Sequence, residues 1–444
     1  MIASSLPTAR GWLALGGVLV GCACSGNGGG PTHVKPRAAL ALSPKLAEMV
    51  AEKVADIEAQ RSARSAAVPV DPAFLRTPGD TLGLTLPDGV SAIAMRLRPN
   101  EPLLGGGVAW FGRTGDGWTV VAVVRDGEIS GAVHTKRGAY RLTKGTRESL
   151  LRVSQVGPTR LPWDTTVPRA AAPGVRARPA PAARPVVDPA QIDIVVEYTE
   201  GALTACPSTD LDFFAAIAEA NQASLDSAAH VQLRVVGRVF PDTLPANQRF
   251  RETGSFERDL DLFRNDNDET LNEIHQRRAS TDADVAVLVV AEDDAVLGDA
   301  AEIEATESSA FAVVDCRFLV GIPVLAHEVG HLLGLRHDND PAASAGHGYA
   351  YPPDGEARWA TIMAAPCGTC VRLFRWSNPR LTYPDEVAGS APTGVPGRSD
   401  AASVLDRTAP IAASFRPRVA ADAAPAEGSG TRPPVSSSLT ERPR

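Results

Sequence analysis

The stretch HEVGHLLGLRHD, residues 327–338, constrains this chain more than any other. Three of the chain's 8 histidines fall inside it. Apolar positions Ile322, Val324, Leu325, Val329, Leu332 and Leu333 predict a mostly buried helix near 320–334. On a helix, His327 and His331 lie one turn apart on the same face, so both imidazoles reach one metal ion. Glu328 is rotated by about 100° from His327. It is badly placed as a third equivalent ligand, but it reaches a water held by that metal. Gly334 ends the helix, because glycine takes a left-handed C-cap at little cost. The chain then turns back, and His337 closes the site from a third side. Three neutral imidazoles with one open position are the layout of a catalytic zinc site, not of a closed structural one.

The run His327-Glu328-Val329-Gly330-His331-Leu332-Leu333-Gly334-Leu335-Arg336-His337 resembles the metzincin pattern HExxHxxGxxH. Asp338, directly after the third histidine, is similar to the adamalysin (reprolysin) branch of that clan. Met363, in ATIMAAPC, resembles the methionine turn that metzincins carry under the zinc, in a chain with only 4 methionines. RWSNPRLTYPDE (375–386) and SDAASVLDRTAPIAASF (399–415) look like the wall-forming segment and final helix of bacterial reprolysin-like peptidases. IDIVVEYTEGA (192–202) looks like their first strand. The resemblance covers residues 190–417. It implies an α/β catalytic domain with a mixed, mostly parallel sheet, and a zinc-dependent endopeptidase acting on protein or peptide substrates. Within it, His327, His331 and His337 are the expected zinc ligands and Glu328 the general base. Met363 packs beneath the metal without binding it, and Asp338 orients the turn. Some members cleave beside aspartate, which an arginine-lined pocket would serve. A structural Ca2+ ion is compatible with the resemblance, and a monomer is expected. Loss of Glu328 or of a histidine would instead mark a silent binding or adhesion protein on the same scaffold; none is lost. An exopeptidase or amidase would need a charged anchor for a chain terminus, which sequence alone does not show.

The N-terminus reads as an export signal. After Arg10 comes an apolar run from Gly11 to Gly21, too short to span a membrane. It ends in Leu19-Val20-Gly21-Cys22, which resembles a bacterial lipobox with Cys22 as the lipidated residue. Residues 1–21 are then the signal and 22–41 a flexible tether. The expected location is the cell envelope, as an outer-membrane lipoprotein, or the extracellular space. The formal charge of −8 argues against a nucleic-acid partner. Export permits disulfides. Cys316 lies before the zinc helix and Cys367 and Cys370 after Met363, so a bridge from Cys316 to one of the pair would staple those segments. Cys206 is the fourth cysteine of this half, and the sequence does not choose among the three pairings.

Between tether and catalytic half, residues 42–156 predict a helix over 42–66 followed by a small antiparallel β unit from about 70 to 155. This region precedes a protease domain and suits a propeptide. No cysteine occurs between Cys24 and Cys206, so a thiolate latch on the zinc is closed to it. A steric, carboxylate or histidine latch, such as His134, remains. Residues 157–190 are rich in Pro, Ala and Arg and read as an extended linker, with processing expected between about Val167 and Asp193. The catalytic domain, 191–417, alternates strand and helix: strand 192–198, helix 209–229 capped by Asp210, strand 231–239, helix 256–278, strand 284–291, and FAVVD (311–315) as candidate antiparallel edge. His347 and Tyr349 are expected on a surface loop. Residues 418–444 are expected to be disordered.

Overall fold

The computed structural model describes residues 65–157 (Glu148 aside), 188–265, 272–291, 296–368 and 370–416. The signal, Cys22, the tether, most of the predicted 42–66 helix, the linker and the tail lie outside the described residues. All described residues belong to one compact unit, Ser43–Arg444. The protein is mixed α/β, with a β-rich region over 65–155.

That region forms one antiparallel sheet. Its strands are β1 (Ser65–Pro69), β2 (Thr81–Thr85), β3 (Ser91–Arg96), β4 (Glu101–Pro102), β5 (Val108–Thr114), β6 (Thr119–Arg125), β7 (Glu128–Thr135), β8 (Gly138–Lys144) and β9 (Leu150–Gln155), in the order β1-β9-β8-β7-β6-β5-β3-β2, with β4 on β5. Short turns join the strands; at β6–β7, Asp126 and Gly127 both take positive φ, as a two-residue hairpin demands. Side chains alternate across the sheet. Val120, Ala122 and Val124 face an inner core with Trp110, Leu142 and Val153. Phe111, Val121, Val123 and Ala132 face the other way, into the core of the catalytic half.

The second sheet holds β10 (Ala190–Tyr198), β11 (Val231–Val239), β12 (Val285–Val290), β13 (Gly298–Ala300) and β14 (Phe311–Asp315), in the order β11-β10-β12-β14-β13. All pairs are parallel except β13 with β14. Helices α1 (Glu200–Ala205), α2 (Thr209–Asp226), α3 (Phe256–Phe263), α4 (Asn272–Ser280), α5 (Val324–Leu332) and α6 (Ala401–Ala412) complete this half. β12, VAVLVV, is buried at every position, as a parallel strand covered on both faces should be.

The structure corrects several sequence expectations. FAVVD is not the edge: it is β14, parallel to β12 and buried throughout. The antiparallel edge is Gly298–Ala300, a three-residue strand too short and too rich in Gly and Asp to show in the sequence. Asp210 does not cap α2. Ser208 stands at that position, and Asp210 pairs with Arg125 and Arg238 and accepts from Tyr198. The helix expected over 256–278 is two helices, α3 and α4. Ser65 and Ala66, the end of the predicted N-terminal helix, are strand.

Helix α2 joins the two sheets. Its buried face takes Phe111, Val121 and Val123, each contributing about 1.5–3 kcal/mol through burial. Around that apolar centre run the ion pairs Arg113–Asp226 at 2.6 Å, Arg125–Asp210 and Arg141–Asp212, and the hydrogen-bonded pair His134–Glu219 at 2.9 Å.

Candidate metal centre and active site

Helix α5 begins at Val324 rather than near 320. Gly321 has φ +80 and Pro323 stands at the N-cap, so the preceding turn is not helical. The helix ends as expected: Gly334 takes φ +92, and its neighbour's amide, Leu335 N, returns to the Gly330 carbonyl at 2.9 Å. The chain reverses there and carries His337 back toward α5.

The three histidines meet. Nε2 of His327 and His337 are 2.9 Å apart, His331 and His327 3.1 Å, and His331 and His337 3.3 Å. A metal held tetrahedrally at about 2.0–2.1 Å from each nitrogen needs nitrogens roughly 3.3 Å apart, close to what is found. His327 Nδ1 donates to the Ile362 carbonyl at 3.0 Å and His331 Nδ1 to the Leu335 carbonyl at 2.9 Å. With those protons on Nδ1, the two Nε2 atoms point lone pairs at each other. Two such lone pairs, with the third imidazole beside them, make a donor set that fits a metal ion. Among the described residues it is the one group of His, Cys, Asp and Glu that converges this way.

Glu328 is fully buried beside this cluster. Its carboxylate lies against Gly298 of the edge strand: a Cβ at 298 would sit 2.9 Å from Glu328 Oε1 and 2.9 Å from the Val313 carbonyl. The bare backbone at 298 lets β13 and the carboxylate share the space. Met363 is buried below the helix, where a Cβ at Gly330 would meet its sulfur at 2.8 Å and Trp376 at 3.2 Å. Asp338 Oδ1 accepts from Ala365 N at 2.8 Å, tying the turn after His337 to the segment after Met363.

Two expected surface residues are buried instead. His347 is fully enclosed, its ring nitrogens facing the His337 carbonyl at 2.7 Å and the Ala342 carbonyl at 3.0 Å. Tyr349 packs with Tyr351 and Trp359. His347 therefore positions the third histidine, a role no spacing rule announces. Arg372 was equally silent: it donates to the carbonyls of Thr361 (2.6 Å), Ala364 (2.8 Å) and Ala365 (2.9 Å), around Met363. His134 is not at the metal cluster. It is held by Glu219 and lies against the Phe374 ring, 3.9 Å between centroids. The staple expected from Cys316 to Cys367 or Cys370 is also absent. Cys316, at the end of β14, bridges to Cys206 at the end of α1, with Cα atoms 6.2 Å apart, and Cys367 bridges to Cys370.

The family model described as metallo-peptidase family M12, reprolysin type, matches residues 188–377, which hold every element of this cluster. A peptidyl-Asp metalloendopeptidase of Stenotrophomonas maltophilia strain R551-3 is 31% identical over 444 residues, covering 94% of this chain and 100% of that protein. The chain belongs to the reprolysin-like metallopeptidases. The corresponding protein of strain K279a is 30% identical with the same coverage. A peptidyl-Asp metalloendopeptidase of Xanthomonas campestris is 36% identical over 235 residues, 51% of this chain and 52% of that protein. As a member of this family the protein is a metalloendopeptidase, hydrolysing peptide bonds in protein or peptide substrates. No helix among its described residues is long and apolar enough to cross a membrane.

Proposed function

We propose that the protein is a zinc-dependent endopeptidase in which His327, His331 and His337 hold one Zn2+ ion and Glu328 is the general base. The observation that carries this reading is the convergence of three Nε2 atoms while two of the rings spend Nδ1 on carbonyls. A zinc ion held by these three imidazoles would supply Lewis acidity and make a nearby water more acidic. Glu328, buried beside them, is the group that would accept a proton from the attacking water and pass it to the leaving amine. β13 is the last strand of its sheet and touches Glu328 through Gly298, so an extended substrate pairing with it meets the base. Met363 floors the site, and Asp338 and His347 hold the turn that carries His337.

Glu328→Gln in the full chain tests this. We expect one zinc per chain retained and turnover lowered about 10²–10⁴-fold or more. Near-normal turnover assigns the base elsewhere.

The names of the relatives support a preference for bonds beside aspartate. We read Cys22 as a lipidation site, so that Cys22→Ala releases the protein from membrane fractions. Residues 42–156 serve as a propeptide, released by cleavage between about Val167 and Asp193. The ends of this region support that role, since Gln155, Val156 and Gly157 wall a cavity beside the start of α5. N-terminal sequencing of the active species decides it: an active form that retains 65–155 ends the propeptide reading.

A further inference from the structure

The cavity that Gln155 to Gly157 close has a chemistry of its own. It measures about 300 Å³ and lies between Ile322 and Pro323, just before α5, and the Cys367–Arg372 segment that follows Met363. The Pro323 carbonyl accepts from His327 N at 2.8 Å, so the cavity borders the first turn of the metal helix. Two arginines, Arg137 and Arg372, line it, and no acidic side chain does among the described residues. Arg137 is an exposed side chain paired with Asp88 at the surface. Arg372 is different. It is half-buried, and its guanidinium is pinned to three main-chain carbonyls around Met363, with Asp338 as the carboxylate whose charge acts on it. Burial pushes its pKa down to about 10 against the pull of Asp338, so it stays cationic at neutral pH. The residues just before α5, Ile322 and Pro323, wall the same space. A fixed cation and no acid in the wall make a pocket for a carboxylate.

The geometry points to Arg372 as the residue that reads an acidic side chain next to the scissile bond. This rests on the aspartate-directed reading above and supplies its structural cause. A planar guanidinium already held by carbonyls loses little further freedom on meeting a carboxylate. An isosteric amide brings no charge to it, and a site built to pair a polar group rejects the analogue that lacks it. The competing role is a purely structural one, in which Arg372 only staples the turn around Met363.

The test uses enzyme purified from cells expressing the full chain and quenched peptides that differ at one position beside the bond: Asp, Asn, Glu or Ala. Wild type should favour Asp over Asn by about 10²-fold or more in kcat/KM. No preference for Asp overturns both the aspartate-directed reading and this inference. If wild type prefers Asp, Arg372→Lys should cut the Asp:Asn ratio at least about tenfold, whatever its effect on the Ala peptide. An equal loss on all peptides, with the ratio unchanged, makes Arg372 a staple and overturns the inference while the aspartate-directed reading stands. Val371→Glu covers the case in which the arginine variant does not fold. It leaves Arg372 and its carbonyl bonds in place and brings a carboxylate to the cavity wall, and it too should lower the ratio. A folded Val371→Glu enzyme with the wild-type ratio overturns the inference. Arg137 lies in the region read as propeptide and leaves with it, so Arg137→Ala should leave the ratio where it was; a collapse of the ratio in that variant overturns both that release and the assignment to Arg372.

Discussion

Strands β6, TVVAVVR, and β12, VAVLVV, look alike as strings, and both are buried on two faces. They reach that burial by different routes. β12 lies in a parallel sheet whose covers come from its own half: one face packs with α3 and Phe311 neighbours, the other with the α2 and α5 core. β6 lies in an antiparallel sheet, and its second face is covered by α2 of the other half. The seam around β12 is apolar but for Glu197 of β10, which is buried and in register with Leu288. The seam around β6 has an apolar centre and a rim of ion pairs, the anatomy of a docked interface. A continuous apolar strand thus says that two covers exist but not whose they are.

Four variants put that contrast at risk. The largest effect is expected for Val123→Asp, which sets a carboxylate under α2 in the centre of the docked seam. We expect a loss of about 3–5 kcal/mol and a thermal transition split in two, the sheet first. A single, lower transition would show that the core they share holds the two halves in one cooperative unit. Gly298→Ala comes next, on the catalytic side. Its Cβ would crowd Glu328 and the Val313 carbonyl, so kcat should fall about 10²-fold and the melting temperature should drop too, because the Val313 oxygen is backbone; an unaffected kcat would show that the Glu328 carboxylate keeps its position beside a Cβ. Asp212→Ala takes a buried carboxylate from Arg141 and Ser130 at the rim. Arg141 is partly in water, so the cost should be only about 1–2 kcal/mol, read by denaturant unfolding.

The smallest effect tests a charge inside the apolar seam. Glu197 on β10 is buried, and its pKa is pushed up to about 8 by burial and by the charge of Glu273. The unfolded chain releases that proton near the ordinary value of about 4.3. The folded state keeps it, so stability is lost as pH rises from about 4.3 toward 8. Glu197→Gln should therefore raise stability by at least about 1 kcal/mol at pH 8 and do nothing at pH 4. Equal melting temperatures at both values would show that Glu197 ionises freely in the fold.

How much was legible follows the same division. The metal cluster was readable because helix periodicity turns a spacing of four into one face, and because Gly334 marks the reversal. Most strands of both sheets were readable from their apolar runs; β1, β4 and β13 were not. What failed depends on contacts distant in sequence. The edge strand Gly298–Ala300 is chosen by the need for bare backbone beside Glu328, not by strand propensity. Asp210 had the look of a cap, but arginines from β6 and β11 claim it. Cys316 found Cys206 because β14 ends beside α1, a neighbourhood that only the sheet order creates. His347 carried no spacing signal, since its partner is a main-chain carbonyl.

That histidine sets up a mechanical series. Ser377 Oγ donates to the His347 carbonyl at 2.6 Å and accepts from Ala401 N, the first residue of α6, at 3.0 Å. His327 and His331 ride on one rigid helix, whereas His337 is held in place through His347, Ser377 and the start of α6. The last helix is thus an anchor line for one histidine out of three, and a second line runs from it to the end of α5, where Thr408 Oγ1 donates to the Leu333 carbonyl at 2.6 Å. Loosening that helix should slacken His337 most and the pair on α5 less.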